Sequence, residues 1–222
     1  FDLAASQSDF NASEYLKDNK MFCSLGHVMH ENTMFGQAVL AAANADDLEM
    51  ERMKEEAMKS LIMHEVGHTL GLNHNMKASQ LFSPEQLADA DFIKGKCLTG
   101  SVMDYAGINL TTDRTKQGQY YDMSVGPYDV WAIQFGYTPF KTDKGRYDLL
   151  NKSTQPELIF GNDADDMRAP GKAIDPRVMI GDLSNDQIRY SIDRIEMVND
   201  LMKGVKSKFT KKDESYQELR RA

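Results

Sequence analysis

Three histidines fall within eleven residues of this chain, in the run HEVGHTLGLNH at residues 64–74. In an α-helix, residues four apart lie on the same face, so His64 and His68 can direct two imidazoles at one point. Glycine accepts the left-handed conformation that ends many helices, so a turn at Gly71 can carry His74 back towards that point. The run therefore predicts a three-histidine metal site at the end of a helix.

Glu65 lies next to the first of these histidines, about 100° further round the helix by the 3.6-residue period. Its carboxylate can therefore reach a water on the metal without binding the metal itself. Three neutral imidazoles leave one position of a tetrahedral zinc ion open, which is typical of a catalytic zinc site. We expect Zn²⁺ to be held by His64, His68 and His74, with Glu65 as the general base of a hydrolase.

A second signal follows at residues 101–105, which read Ser-Val-Met-Asp-Tyr. An extended histidine motif with a later methionine turn resembles the metzincin clan of zinc endopeptidases, which includes astacins, serralysins and matrix metalloproteases. The resemblance implies that Met103 forms an apolar floor beneath the imidazoles, supporting the ligands without binding the metal. The alternative is that Met103 is one core methionine among the 14 of the chain.

Tyr105 stands two residues after Met103, where astacins and serralysins carry a tyrosine that can approach the zinc. By this similarity Tyr105 is a fifth ligand or a phenol that steadies the oxyanion. Matrix metalloproteases work without this tyrosine, so the alternative is a tyrosine packed at the edge of the site. No role is implied for Asp104.

The resemblance extends into residues 129–137, which are similar to the C-terminal helix of matrix metalloproteases and serralysins. In those relatives the aspartate hydrogen-bonds backbone near the methionine turn, which implies a structural role for Asp129. The similarity covers about residues 60–137, and the closest likeness is to large secreted zinc metalloproteases of Bacteroides-type bacteria. It implies an exported protein that is periplasmic, bound at the cell surface or extracellular.

The charge and hydropathy of the sequence restrict the classes of partner that we expect the protein to bind. The 222 residues carry a net charge of −8, and no compact basic patch opposes it, so we expect no nucleic-acid partner. No apolar stretch approaches the roughly 18 residues that span a bilayer, so we expect no membrane-spanning segment. The expected partner is a peptide or protein substrate, and no motif predicts an oligomeric state.

Three further groups of residues leave alternatives open. Cys23 and Cys97 either form a disulfide, as in an exported enzyme, or are two separate buried thiols, and neither has metal-site spacing. His27 and His30 stand three apart without a third ligand nearby, so we do not expect a second metal site. The acidic residues within 162–166 suit calcium, but they lack the glycine and distal glutamate of an EF-hand, which favours an ordinary turn.

Helical patterns dominate the local signals. A cap at Asp46 begins a helix that we expect to run into Leu70, and Ser83 followed by proline predicts a short helix. Residues 184–218 carry apolar side chains at helical spacing and predict a C-terminal helix that needs a partner surface. Residues 21–30 predict a short strand.

We therefore expect a mostly α fold, derived from an α+β parent, with a long active-site helix, a methionine turn and C-terminal helices. Metzincins place a strand-rich lobe before the active-site helix, and only 63 residues precede His64, so most of that upstream sheet is expected to be missing. The expected organisation is a metzincin-like catalytic segment over residues 1–137, with its motif core at 60–137. A loop-rich and helical extension over residues 138–222 is expected to pack on it.

The predicted function is that of a zinc-dependent endopeptidase that hydrolyses peptide bonds through a metal-activated water. One alternative is a non-catalytic zinc-bearing module that binds a peptide or a protein. The other is a zinc hydrolase that acts on a bond other than a peptide bond. The shape of the pocket distinguishes these functions, and sequence does not supply it.

Overall fold

The computed structural model describes residues 23–166 and 175–209, with side chains up to residue 204. Within these residues the chain forms helices and no β-strand. The α-helices are, in chain order, α1 (Leu25–Ala42), α2 (Asp47–Thr69), α3 (Pro84–Leu87), α4 (Ala90–Ile93), α5 (Pro127–Tyr137), α6 (Asp143–Leu150) and α7 (Gln187–Phe209). Short 3₁₀ turns lie at Ala78–Leu81, Arg114–Lys116, Asn151–Thr154 and Pro156–Leu158. The expectation of a mostly α structure is confirmed for the described residues.

The predicted strand at residues 21–30 is wrong, because α1 begins at Leu25. Residues 21 and 22 lie outside the described part of the chain. Leu25 and Met29 stand one helical turn apart, and both are buried, together with Leu40 near the other end of α1. This helical face packs on α2, and a short apolar run does not by itself distinguish a strand from such a helix.

Three other helices, α2, α3 and α7, lie where the sequence predicts a helix. The carboxylate of Asp46 accepts a hydrogen bond from the backbone N–H of Glu49 at 2.8 Å and caps α2, which ends one residue before Leu70. Ser83 and Gln86 form a capping box that begins α3. The described C-terminal helix, α7, covers part of the predicted 184–218, and the remainder lies outside the described residues.

The main hydrophobic core lies between α1, α2 and the long loops that follow α4. Its fully buried members include Leu40 of α1, Met53 of α2, and Ile108 and Tyr120 of the loops. Gly36 allows the close approach, because a Cβ atom there would come within 2.6 Å of Ile108 and 2.7 Å of the Met53 sulfur. Burial of these side chains holds α2 against the loops that carry residues 101–105.

Segments beyond residue 137 contact this core. α7 packs on α1, and the backbone N–H of Met76 donates to the carbonyl of Gly161 at 2.7 Å. Residues 159–163 therefore run beside the end of the histidine motif. None of the described helices has the length and apolar character to cross a bilayer.

Candidate metal centre

Three imidazoles and one thiol converge near the C-terminal end of α2. The ligand atoms of Cys23, His64, His68 and His74 all lie within 4.8 Å of one another. The Nε2 atoms of His68 and His74 are 3.1 Å apart, and the Sγ of Cys23 lies 3.3 Å from the Nε2 of His64. The structure brings the three predicted histidines together and adds a cysteine that the sequence did not assign to the site.

His64 is fixed by the backbone of residues 101–105, which we call the Met103 turn. Its ring is fully buried, and its Nδ1 lies 2.7 Å from the carbonyl oxygen of Val102. Because a carbonyl only accepts hydrogen bonds, Nδ1 donates and Nε2 presents a lone pair to the site. Burial lowers the pKa of His64 to about 4, so the ring is neutral at pH 7, as a metal ligand must be.

His68 is fixed by the turn that ends α2. Gly71 has a φ of 85°, in the left-handed region that favours glycine. The chain thereby doubles back, and the carbonyl oxygen of Leu72 lies 3.1 Å from the Nδ1 of His68. The Nε2 of His68 is again the atom that faces the site.

His74 is held by Asp163, a residue that sequence analysis did not assign to the site. Both carboxylate oxygens of Asp163 lie 2.9 Å from the Nδ1 of His74. Burial disfavours the charged ring, but hydrogen bonds with Asp163 and Cys23, and next the charges of these two groups, outweigh it and raise the pKa of His74 to about 9. A metal ion that binds the Nε2 of His74 would therefore replace a proton that the ring carries at pH 7. Asp163 thus orients the ring and strengthens the basicity of its Nε2.

The acidic segment that contains Asp163 forms a turn. The side chain of Asn162 accepts a hydrogen bond from the backbone N–H of Ala164 at 2.8 Å, and that of Asp165 accepts one from the N–H of Asn162 at 3.2 Å. Among the described residues, the cluster of His and Cys side chains at α2 is the group that could hold a metal, and this turn is not part of it. His27 lies on α1 and pairs with the exposed Glu31 at 3.3 Å.

The donor set fits zinc. All three rings direct an Nε2 inward while an acceptor outside the site engages each Nδ1, which is the usual support of metal-binding histidines. Tetrahedral zinc places two nitrogen ligands about 3.3 Å apart and a sulfur and a nitrogen about 3.6 Å apart. The observed 3.1 Å and 3.3 Å are close to these separations.

Tyr105 borders the ligand atoms directly. Its hydroxyl lies 3.2 Å from the Nε2 of His74 and 3.1 Å from the Sγ of Cys23, and it accepts a hydrogen bond from the backbone N–H of Ser24 at 2.8 Å. The ring is buried, and burial raises the pKa of its hydroxyl, so the phenol is neutral at pH 7. A neutral phenol beside a metal can donate a hydrogen bond to an oxygen that gains negative charge.

Glu65 is exposed beside the buried His64. No hydrogen-bond or ion-pair partner for its side chain occurs in the described part of the chain. Its carboxylate is therefore available to a substrate or water that enters the site.

The Met103 turn lies beneath α2. Met103 is fully buried, and a Cβ atom added to Gly67 would overlap its sulfur. The carbonyl oxygen of Met103 accepts a hydrogen bond from the backbone N–H of Asn75 at 3.0 Å, directly after His74. The turn therefore contacts the helix between two predicted ligands and also the segment that carries the third.

Asp129 anchors the Met103 turn to α5. Its carboxylate accepts hydrogen bonds from the backbone N–H of Val102 at 2.9 Å and that of Gly126 at 2.8 Å, and from the hydroxyl of Ser101. This is the structural role that the resemblance implies. The carbonyl of Val102, which orients His64, belongs to the same anchored backbone.

Asp104 points away from the ligand atoms into the protein. One carboxylate oxygen accepts a hydrogen bond from the backbone N–H of Ser79 at 2.6 Å. Burial, and next the charge of the buried Asp182, raise its pKa well above the usual range. The contacts are those of a structural residue that joins the Met103 turn to the 3₁₀ turn at Ala78–Leu81.

Both cysteines are free thiols, so the disulfide alternative is wrong for this structure. Cys97 is buried away from the metal cluster, and burial raises the pKa of its thiol to about 12. Cys23 is half-buried and directs its sulfur at the histidines. Cys23 is 41 residues away from His64 along the chain, and only the packing of α1 on α2 brings them together.

A comparison with models of protein families matches residues 46–222 to a family described as Met-zincin. The chain belongs to the Met-zincin family. The matched region of this Met-zincin includes the three histidines, the Met103 turn and α5, whereas Cys23 and α1 lie before it. Comparisons with curated proteins and with solved structures give no match.

Proposed function

We propose that this Met-zincin is a zinc-dependent endopeptidase. Three imidazole rings direct their Nε2 atoms at one point beside an exposed Glu65, and the Nδ1 atom of each ring contacts an acceptor outside the site. This convergence is the observation that carries the proposal. A purely structural metal site has no use for such a carboxylate.

The zinc ion held by His64, His68 and His74 would supply Lewis-acid chemistry to an attacking water and to the scissile carbonyl. Glu65 accepts a proton from the water and delivers it to the leaving amine. Tyr105 donates a hydrogen bond to the carbonyl oxygen as negative charge develops there.

The surrounding residues keep these groups in position. Val102 and Asp163 set the orientations of His64 and His74, and Asp129 fixes the backbone of Val102. Met103, as the apolar floor of the site, fills the space against Gly67. Rigid support of this kind limits the movement of the ligands during the reaction.

A second candidate is a non-catalytic zinc module that binds a peptide or protein. The observation in its favour is the Sγ of Cys23, which adds a fourth donor to three histidines and so closes a tetrahedral site. We favour the peptidase, because the closed arrangement leaves both Glu65 and the Tyr105 hydroxyl without a role.

Export of the enzyme is also part of the proposal. It is supported by the likeness of the histidine run and of residues 101–105 to large secreted metalloproteases of Bacteroides-type bacteria. Because Cys23 and Cys97 are free thiols, no disulfide adds to that support.

The proposal is tested with the zinc-loaded protein, Glu65→Gln and His68→Ala, and with Glu55→Gln as a control at an exposed position of the same helix. Zinc content is measured by elemental analysis, and cleavage is measured with a fluorogenic peptide library. Glu65→Gln is expected to keep about one zinc ion per chain and to lose roughly 10²–10⁴-fold in cleavage rate. His68→Ala is expected to lose the metal, and Glu55→Gln to behave as wild type.

Undiminished cleavage by Glu65→Gln would contradict the proposed general base. Full zinc occupancy without cleavage, in the wild type and in a Cys23→Ser variant, would contradict the peptidase and favour the non-catalytic module.

A further inference from the structure

We propose that Asp182 is a positioning residue, which fixes the place of the Tyr105 hydroxyl beside the metal centre. Asp182 belongs to residues 178–184, which lie between α6 and α7 and which we call the 178–184 segment. The inference rests on the proposed function, since it concerns the same site. It assigns a role in that site to a stretch of chain that the histidine motif and the Met103 turn do not include.

One edge of the 178–184 segment contacts the backbone that carries Tyr105. The backbone N–H of Gly181 donates to the carbonyl oxygen of Tyr105 at 2.8 Å, and that of Gly107 donates to the carbonyl oxygen of Asp182 at 2.9 Å. Gly107 allows this approach, because a Cβ atom there would come within 2.8 Å of the carbonyl oxygen of Gly181. The backbone is therefore held at Tyr105 and again two residues after it.

The other edge of the segment contacts the chain that follows His74. The backbone N–H of Met179 donates to the carbonyl oxygen of Met76 at 3.2 Å, and that of Ser184 donates to the carbonyl oxygen of Ser79 at 3.0 Å. The segment therefore lies between the backbone that carries the tyrosine and the backbone that follows the third histidine.

The carboxylate of Asp182 connects these backbones inside the protein, where the residue is only 6% exposed. Its Oδ2 accepts hydrogen bonds from the hydroxyl of Ser79 at 3.0 Å and from the side-chain amide of Gln187 at 2.6 Å. The backbone N–H of the same Ser79 donates to the carboxylate of Asp104, the residue directly before Tyr105. The chain is thus also held on the N-terminal side of the tyrosine, through a serine that Asp182 fixes.

The end of the segment has a backbone conformation that residues other than glycine rarely adopt. Ser184 has a φ of 94°. Its N–H donates to the carbonyl oxygen of Ser79, and its own carbonyl oxygen accepts from the side-chain amide of Gln80 at 3.2 Å. Strained residues of this kind persist where surrounding contacts hold them, and they cluster at functional sites. The strain at Ser184 supports a role for the segment beyond that of a connection to α7.

The place of Tyr105 matters because a hydrogen-bond donor stabilises an oxyanion only over a short range of distances. A misplacement of about 1 Å costs up to roughly 10²-fold in rate. The hydroxyl of Tyr105 lies 3.2 Å from the Nε2 of His74, on a side chain whose backbone the 178–184 segment holds. Without the carboxylate of Asp182, Ser79 loses an acceptor and the backbone around Tyr105 loses support, so we expect the hydroxyl to shift.

The test is a double-mutant cycle in the zinc-loaded protein. Asp182→Ala is expected to lower kcat for peptide cleavage by roughly tenfold, with little change in KM or in zinc content. In the Tyr105→Phe background the same substitution is expected to change kcat by less than about twofold, because the hydroxyl that Asp182 positions is absent. A fall by the same factor in both backgrounds would show a general structural role and overturn the inference.

Glu56→Ala is the matched control. Glu56 is also 6% exposed, but its carboxylate accepts from the backbone N–H groups of Tyr120 and Tyr121. Any effect of this variant on kcat is expected to be the same with and without the Tyr105 hydroxyl. A dependence on that hydroxyl as large as the one for Asp182→Ala would contradict the inference, because loss of any buried carboxylate would then suffice.

Ser79→Ala removes the hydroxyl that contacts Asp182 and keeps the backbone N–H that contacts Asp104. It is expected to show the same dependence on Tyr105 as Asp182→Ala, and it replaces that variant in the cycle if Asp182→Ala does not fold. An equal fall of kcat in both backgrounds would count against the inference here as well.

The position of Tyr105 is also measured without cleavage, by ¹⁹F NMR of zinc-loaded protein with 3-fluorotyrosine at all nine tyrosines. The resonance that disappears in Tyr105→Phe is assigned to Tyr105. It is expected to shift in Asp182→Ala and Ser79→Ala and to stay in place in Glu56→Ala, and an unmoved resonance in the first two would overturn the inference. If the resonance shifts as expected and the wild type cleaves no peptide, the proposed function fails while the positioning of Tyr105 by Asp182 stands.

Discussion

The sulfur of Met103 occupies the space that a side chain at Gly67 would need. Gly67 lies on α2 between His64 and His68, so the Met103 turn packs against the helix directly behind two histidines of the candidate metal centre. The close approach also places the carbonyl of Val102 against the Nδ1 of His64 at 2.7 Å. Gly67, a glycine inside the histidine motif, thus allows the close packing that orients His64.

Gly67→Ala is expected to destabilise the protein, whereas Gly136→Ala is expected to stabilise it. Alanine has a helix propensity about 1 kcal/mol better than that of glycine, and at Gly136 in α5 an added Cβ atom meets nothing within 4 Å. At Gly67 the overlap with the buried Met103 costs about 1–3 kcal/mol, which exceeds the gain in propensity. Urea unfolding of both variants measures the difference, and equal stabilisation would show that Met103 moves aside freely.

Asp163→Asn is expected to weaken zinc binding by roughly 10–100-fold, because the asparagine cannot support the Nδ1–H of His74 with a charged acceptor. Competition with a chromophoric zinc chelator measures the affinity. Asp165→Asn removes the same charge from the same turn and keeps an oxygen for the N–H of Asn162, so it serves as control. Equal affinities for the two variants would mean that Asp163 acts only through its long-range charge.

Tyr105→Phe separates two roles of its hydroxyl. If the phenol stabilises the oxyanion, kcat is expected to fall by roughly 10²–10³-fold, with little change in KM or in zinc affinity. A fifth ligand would instead lower the affinity for zinc. Steady-state kinetics and metal competition on the same preparation distinguish the outcomes, and an unchanged kcat would leave Tyr105 with a packing role.

The buried Asp122 is expected to make the protein less stable as the pH rises from about 4 to about 7. Burial raises its pKa to about 6, so over this range the folded state retains a proton that the unfolded chain has lost. The contribution to the free energy of unfolding therefore falls with rising pH, by up to about 3 kcal/mol.

Asp122→Asn is expected to remove that part of the pH dependence, because an amide does not titrate. Its side chain can still accept from the backbone N–H groups of Leu98 and Thr99 and donate to the Thr99 hydroxyl, as a protonated carboxyl would. Urea unfolding at pH 4 and pH 7 measures the change, with the exposed Asp148→Asn as control. The same decline in both variants would show that Asp122 is not the group responsible.

Prediction from sequence succeeded where the information is local. The Asp46 cap of α2 and the Ser83 cap of α3 are made within three residues of the chain. The strand predicted at residues 21–30 failed because a short apolar run has no internal feature that separates a strand from a helix. The packing of α1 on α2 decides in favour of the helix there.

The positions of the three histidines and Glu65 relative to one another follow from the sequence, because one helix and one glycine turn fix residues that are so close along the chain. The tertiary structure is what brings Cys23 to His64, 41 residues away along the chain, and Asp163 to His74, 89 residues away. Residue pairs this far apart leave no periodicity or motif spacing in the sequence from which their contact could be predicted. Their approach depends on the burial of the core between α1, α2 and the loops, which is a property of the whole chain.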